Sequence, residues 1–100
     1  MRVSLYAEFV ALPGKEARVS QLIAQFARDV RAEKGNVAFE PFHIAESRGA
    51  FFVAETYIDD LAFERHIASE HGRQFNLSIG PLIVGGRTSL TMLHAIEVPA

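Results

Sequence analysis

Two histidines, His66 and His71, lie five residues apart in the stretch ETYIDDLAFERHIASEHGRQF, Glu55–Phe75. An imidazole with an ordinary pKa near neutrality can take or give a proton under physiological conditions. His66 lies on an apolar stripe with Ala62, Phe63 and Ile67, which suits either a general base facing a pocket or a structural histidine bonded to a carbonyl. On a continuous helix His71 would point about 140° away from it. The two can share a chamber only if the helix bends, and Ser69 is the place for that.

Glu55 falls in an apolar run between Ala54 and Thr56. A buried carboxylate has to be paired or protonated, so Glu55 is an acid–base candidate or the partner of Arg65, Arg73 or Arg87. Tyr57, on the same strand face, could donate to a substrate oxygen or simply pack. Asn36 reads as a helix-stop residue or a pocket contact, and Phe75 as pocket lining or core. A helical spacing of five does not put two metal ligands on one face. His43 and His94 would have to join them, so no metal site is expected.

The elements that would position these groups follow from hydrophobic periodicity. Val3–Leu12 reads as a strand ended by Pro13-Gly14. Val19, Leu22, Ile23, Phe26, Ala27 and Val30 mark one face of a helix, and Gly35-Asn36 supplies a left-handed stop. Val37–Ala45 is a second strand. Its Pro41 lacks a donor and assigns it to a sheet edge. Ser47-Arg48-Gly49 turns the chain into a third strand, Ala50–Ile58. Asp59 or Asp60 caps a helix to about Ser69, and a further helical piece covers His71–Ile79. Gly80-Pro81 and Gly85-Gly86 lead into a fourth strand, Thr88–Val98. The order β-α-β-β-α-β is that of an α+β, ferredoxin-like fold with an antiparallel sheet ordered 4-1-3-2.

In such a fold both helices cover one sheet face, and the strands should alternate apolar with polar. These do not. Phe51 and Val53 oppose Phe52 and Ala54, and Val3, Leu5, Ala7 and Phe9 oppose Tyr6, Val10 and Leu12. Covering roughly 600 Å² of the second face is worth on the order of 15 kcal/mol before ordering and association costs. The simplest cover is a second copy, so a homodimer with facing sheets is expected.

Bulk properties narrow the function classes. The 100 residues fit one domain, 1–100, and a net charge of −2 offers no footprint for nucleic acid. The apolar runs are too short to span a membrane as helices. The chain has no cysteine, which excludes disulfides, thiolate metal sites and a thiol nucleophile and suits the cytoplasm. No phosphate-cradling glycine motif is present.

Several passages together resemble the antibiotic biosynthesis monooxygenase (ABM) domain family. They are the turn Pro13-Gly14-Lys15, Glu33-Lys34-Gly35-Asn36 leading to Phe39-Glu40, Glu55 with Tyr57, and His66 through Ser69 to His71. The resemblance runs from about Val3 to Ile96. It implies a dimeric α+β barrel that oxidises an aromatic or quinone-like small molecule with O2 and needs no cofactor. On this reading His66 and His71 are the candidate bases, and Asn36, Glu55, Tyr57 and Phe75 contact the substrate. Haem-degrading relatives rely on a tryptophan, and this chain has none. Asn36 and Tyr57 also resemble an isomerase branch acting on a small phosphorylated ketone. A non-catalytic dimeric binding domain is the third reading.

Overall fold

A computed structural model describes residues 1–100. The chain runs β1 (Val3–Val10), α1 (Glu16–Arg31), β2 (Asn36–Ile44), β3 (Ser47–Tyr57), α2 (Asp60–Ile67), α3 (Glu70–Ile79) and β4 (Ser89–Leu93). The four strands form one antiparallel sheet in the order β2-β3-β1-β4. This is the ferredoxin-like α+β arrangement expected from the sequence. β2 is at the edge, where Pro41 withholds no hydrogen bond that a further strand would need.

α1 buries Val19, Ile23, Phe26, Ala27 and Val30 against a sheet face built from Leu5, Ala7, Phe9, Phe39, Phe51, Val53 and Tyr57. The opposite face has no helix over it. There Tyr6 stacks on Phe52 at 4.9 Å and Phe42 stands 6.4 Å from Phe52. On that side Phe42 is 53% exposed, Val10 46% and Leu93 45%. The two-sided apolar character of the strands is therefore real, and within one chain only one side is covered.

Three sequence expectations change. The hairpin between β2 and β3 turns at Ala45-Glu46, and Ser47, Arg48 and Gly49 belong to β3. The backbone N–H of Ala11 donates to the Gly49 carbonyl at 2.8 Å, which holds that segment in the extended conformation. β4 ends at Leu93 and not at Val98. Its last partner on β1 is Ser4, so β1 has almost no strand left to pair with a longer β4. Gly35 is not a left-handed cap, since only Gly14, Gly85 and Gly86 have positive φ. α1 ends earlier, at Arg31, and Gly35 has a steric role: a Cβ there would overlap the Cβ of Ala62 and approach Ile58 at 3.2 Å.

Candidate functional site

The segment from Glu55 to Phe75 is not one helix. The carboxylate of Asp59 caps α2 by accepting from the Ala62 N–H at 2.8 Å. α2 closes at Ala68, and Ser69, with an extended backbone, starts α3 by accepting from the Gly72 N–H at 3.1 Å. The Ser69 hydroxyl also donates to the His66 carbonyl at 2.7 Å, so one side chain joins the end of α2 to the start of α3. The break removes the 140° separation and turns both imidazoles toward one group.

That group is Glu33, in the connection from α1 to β2. Its carboxylate accepts from His66 Nδ1 at 2.9 Å and meets His71 Nε2 at 2.5 Å. The close approach of Gly35 to Ala62 brings this connection near enough to α2 for the contact to form. Because a carboxylate only accepts, the bond assigns the His66 proton to Nδ1 and leaves Nε2 as an acceptor. Nε2 faces Glu55 Oε1 at 3.7 Å, beyond hydrogen-bond range.

Glu55 and Tyr57 lie on the buried face of β3, at 6% and 0% exposure. The Tyr57 hydroxyl donates to Glu55 Oε1 at 2.7 Å. Burial holds the Glu55 carboxyl above the usual carboxylate range, although the Tyr57 hydrogen bond and the nearby His66 pull the other way. Burial and the adjacent Glu55 likewise push the Tyr57 phenol upward, so it remains a donor. The expected arginine partner of Glu55 is absent. Arg73 instead pairs with Glu70 at 2.6 Å on the surface, because both belong to the exposed side of α3.

A cavity of about 120 Å³ opens between the sheet and the helices. Phe26, Phe39 and Phe75 form its aromatic wall. Phe26 stacks on Phe75 with centroids 4.2 Å apart and meets Phe39 edge-on. Glu55, His66, Asn76 and Thr88 are polar groups on its lining, and no lysine or arginine reaches it.

Of the six residues predicted for the site, His66, Glu55 and Phe75 line this cavity. The other three do not. Tyr57 spends its hydroxyl on Glu55 and is wholly buried. The Asn36 amide donates to the Ala38 carbonyl at 3.0 Å, which starts β2. His71 lies behind Glu33 with its side chain 33% exposed, facing a separate hollow shared with Arg65 and Ser69. Sequence reasoning missed Glu33, Asn76 and Thr88 as site residues. Glu33 carried a signal, as the first residue of the Glu-x-Gly-Asn motif; Thr88 carried none. His43 and His94 do not join the pair: His43 contacts Ser20 at 3.4 Å.

The family model for antibiotic biosynthesis monooxygenases matches residues 2–76. Among curated proteins, none matches the chain. Solved structures of similar fold include Rv0793 from Mycobacterium tuberculosis, with a TM-score of 0.89, 21% identity and full coverage of both chains. PA3566 from Pseudomonas aeruginosa has a TM-score of 0.87 and 23% identity, covering 96% of this chain and 95% of its own. A variant of SnoaB, a cofactor-independent oxygenase from Streptomyces nogalater, has a TM-score of 0.84 and 15% identity, covering 97% and 95%. At these identities the likeness shows the fold.

Proposed function

The chain belongs to the antibiotic biosynthesis monooxygenase family, and from that premise we propose that it oxidises a quinol-like or phenolic small molecule with O2, without a cofactor. The observation that carries this reading is a buried imidazole on the cavity lining whose Nδ1 lies 2.9 Å from the Glu33 carboxylate. With Glu33 accepting from Nδ1, the neutral imidazole of His66 keeps Nε2 as its basic nitrogen, and His66 is on the lining of the aromatic cavity. There it takes the phenolic proton. The phenolate passes one electron to O2, and the phenoxyl radical and superoxide combine at a ring carbon. The imidazolium returns its proton to the peroxide anion, and the resulting hydroperoxide loses water to leave a second carbonyl, so phenol plus O2 gives quinone plus water. Asn76 and Thr88 can donate to the oxygen anion as it forms.

The cavity, at about 120 Å³, is smaller than the ~300–1,000 Å³ of pockets for drug-sized ligands. It suits a single ring better than a polycycle. The isomerase reading needs a cationic subsite for phosphate. Arg73 is paired with Glu70 and Arg65 lines the separate hollow, which weighs against that alternative. The working unit in this proposal is a homodimer with facing sheets, and the lack of cysteine suits a reducing, cytoplasmic setting. No helix is long and apolar enough to cross a membrane.

O2 uptake over a panel of single-ring hydroquinones and phenols tests the chemistry. The protein should exceed the autoxidation background on at least one of them, and His66→Gln should slow that turnover by about 100-fold or more. Uptake at background throughout the panel supports a non-catalytic binding domain instead.

A further inference from the structure

Fixing the tautomer of His66 requires one carboxylate, yet a second imidazole meets the same oxygen. We infer that Glu33, His66 Nδ1 and His71 Nε2 form a binding site for a divalent transition-metal ion, with zinc as the simplest occupant. This inference goes beyond the oxidation reading and does not rest on it.

The three donor atoms come from three elements: the α1–β2 connection, the last turn of α2 and the first turn of α3. They lie within 4.8 Å of one another. Two imidazoles and one carboxylate, with one position left open, are a recurrent zinc set. With metal–ligand distances near ~2.1 Å, donors around such an ion stand roughly 3–3.5 Å apart. The present separations, 2.9 Å and 2.5 Å to the shared carboxylate oxygen and none above 4.8 Å, bracket that spacing.

A metal-bound imidazole usually directs its other nitrogen at a carboxylate or carbonyl. Here His66 Nε2 faces Glu55 at 3.7 Å, and Glu55 is itself held by the Tyr57 hydroxyl. At 3.7 Å the His66–Glu55 approach is not a hydrogen bond; a metal on Nδ1 would put the proton on Nε2 and give it a donor to offer Glu55. The site is sheltered, with side-chain exposure of 15% for Glu33 and 9% for His66, while His71 at 33% provides access from solvent. An ion entering there displaces the proton held between Glu33 and the imidazoles.

The occupied site and the base exclude each other. A metal on Nδ1 makes Nε2 the protonated nitrogen, so the ion would switch off proton abstraction in the cavity. Binding is measurable whether or not any oxidation is found.

Isothermal titration of the metal-free protein with Zn2+ is the direct test. One ion per chain should bind with a micromolar or tighter Kd. Glu33→Gln and His71→Ala should each weaken binding about 100-fold or more, and Tyr57→Phe about 10-fold through Glu55. Removing His43 and His94 together should leave binding unchanged. Circular dichroism checks that each variant is folded. If one is not, the visible spectrum of Co2+ added to the unaltered protein decides: intense tetrahedral bands support the site, and a pale octahedral spectrum overturns it. Absence of Zn2+ binding, or binding undiminished in both folded ligand variants, also overturns it.

Discussion

Glu55 keeps an ionisable carboxyl among apolar neighbours, with the Tyr57 hydroxyl as its one hydrogen-bond partner. Its pKa is raised above 4.5 in the folded chain, chiefly by burial. Between 4.5 and that raised value the folded state binds more protons than the unfolded state. This contribution to stability is therefore complete below 4.5 and is lost as pH rises through the folded pKa. Glu55→Gln removes the titration but can still accept from Tyr57. Denaturant unfolding at a series of pH values should show the glutamine variant gaining on the unaltered protein as pH rises through this window; parallel profiles would show that Glu55 titrates normally. That Glu55 is buried could be read from its apolar surroundings. Its partner could not, because Arg65, Arg73 and Arg87 were all candidates by charge, while the Tyr57 hydroxyl could as well serve a substrate or leave the ring simply to pack.

At the scale of elements, the break between α2 and α3 decides which residues meet. Ser69 ends one helix and caps the next, and this places His66 and His71 on the same carboxylate. The possibility of a bend at Ser69 was legible, since serine favours caps. Glu33 as the meeting point was not, because its approach depends on contact between the α1–β2 connection and α2. Gly35 permits that contact. Gly35→Ala should destabilise the fold by about 1–3 kcal/mol through overpacking, lowering the Tm by roughly 5 °C or more. Thermal unfolding measures this directly, and an unchanged Tm would mean the connection can move away freely. The misplaced β2–β3 turn has a comparable cause. Ser47-Arg48-Gly49 has turn-forming residues, but pairing with the end of β1 keeps it extended.

At the scale of the whole molecule, the face carrying Tyr6, Phe42, Phe52, Val10 and Leu93 lacks a cover within one chain. Such apolar patches on monomers are usually interaction surfaces. A homodimer through this face predicts twice the 11.1 kDa chain mass in sedimentation equilibrium at micromolar concentration. Phe42→Glu would place a charge in the interface and should shift the protein to the single-chain mass. Unaltered protein sedimenting at 11.1 kDa would remove the dimer from the proposal.

The sequence by itself determined the order of elements, the edge position of β2, the buried face of α1 and the apolar character of both sheet faces. These properties follow from local periodicity, proline chemistry and side-chain alternation, which act over a few residues. Only the tertiary structure decided that Glu33 joins His66 and His71, that Tyr57 serves Glu55, and that Asn76 and Thr88 reach the cavity. The contacts of Glu33 and the reach of Asn76 and Thr88 bring together residues far apart along the chain, and they exist only once the connection, the broken helix and the sheet have packed together. The Tyr57–Glu55 bond is local to β3, and packing decided only that both side chains are shut away from other partners.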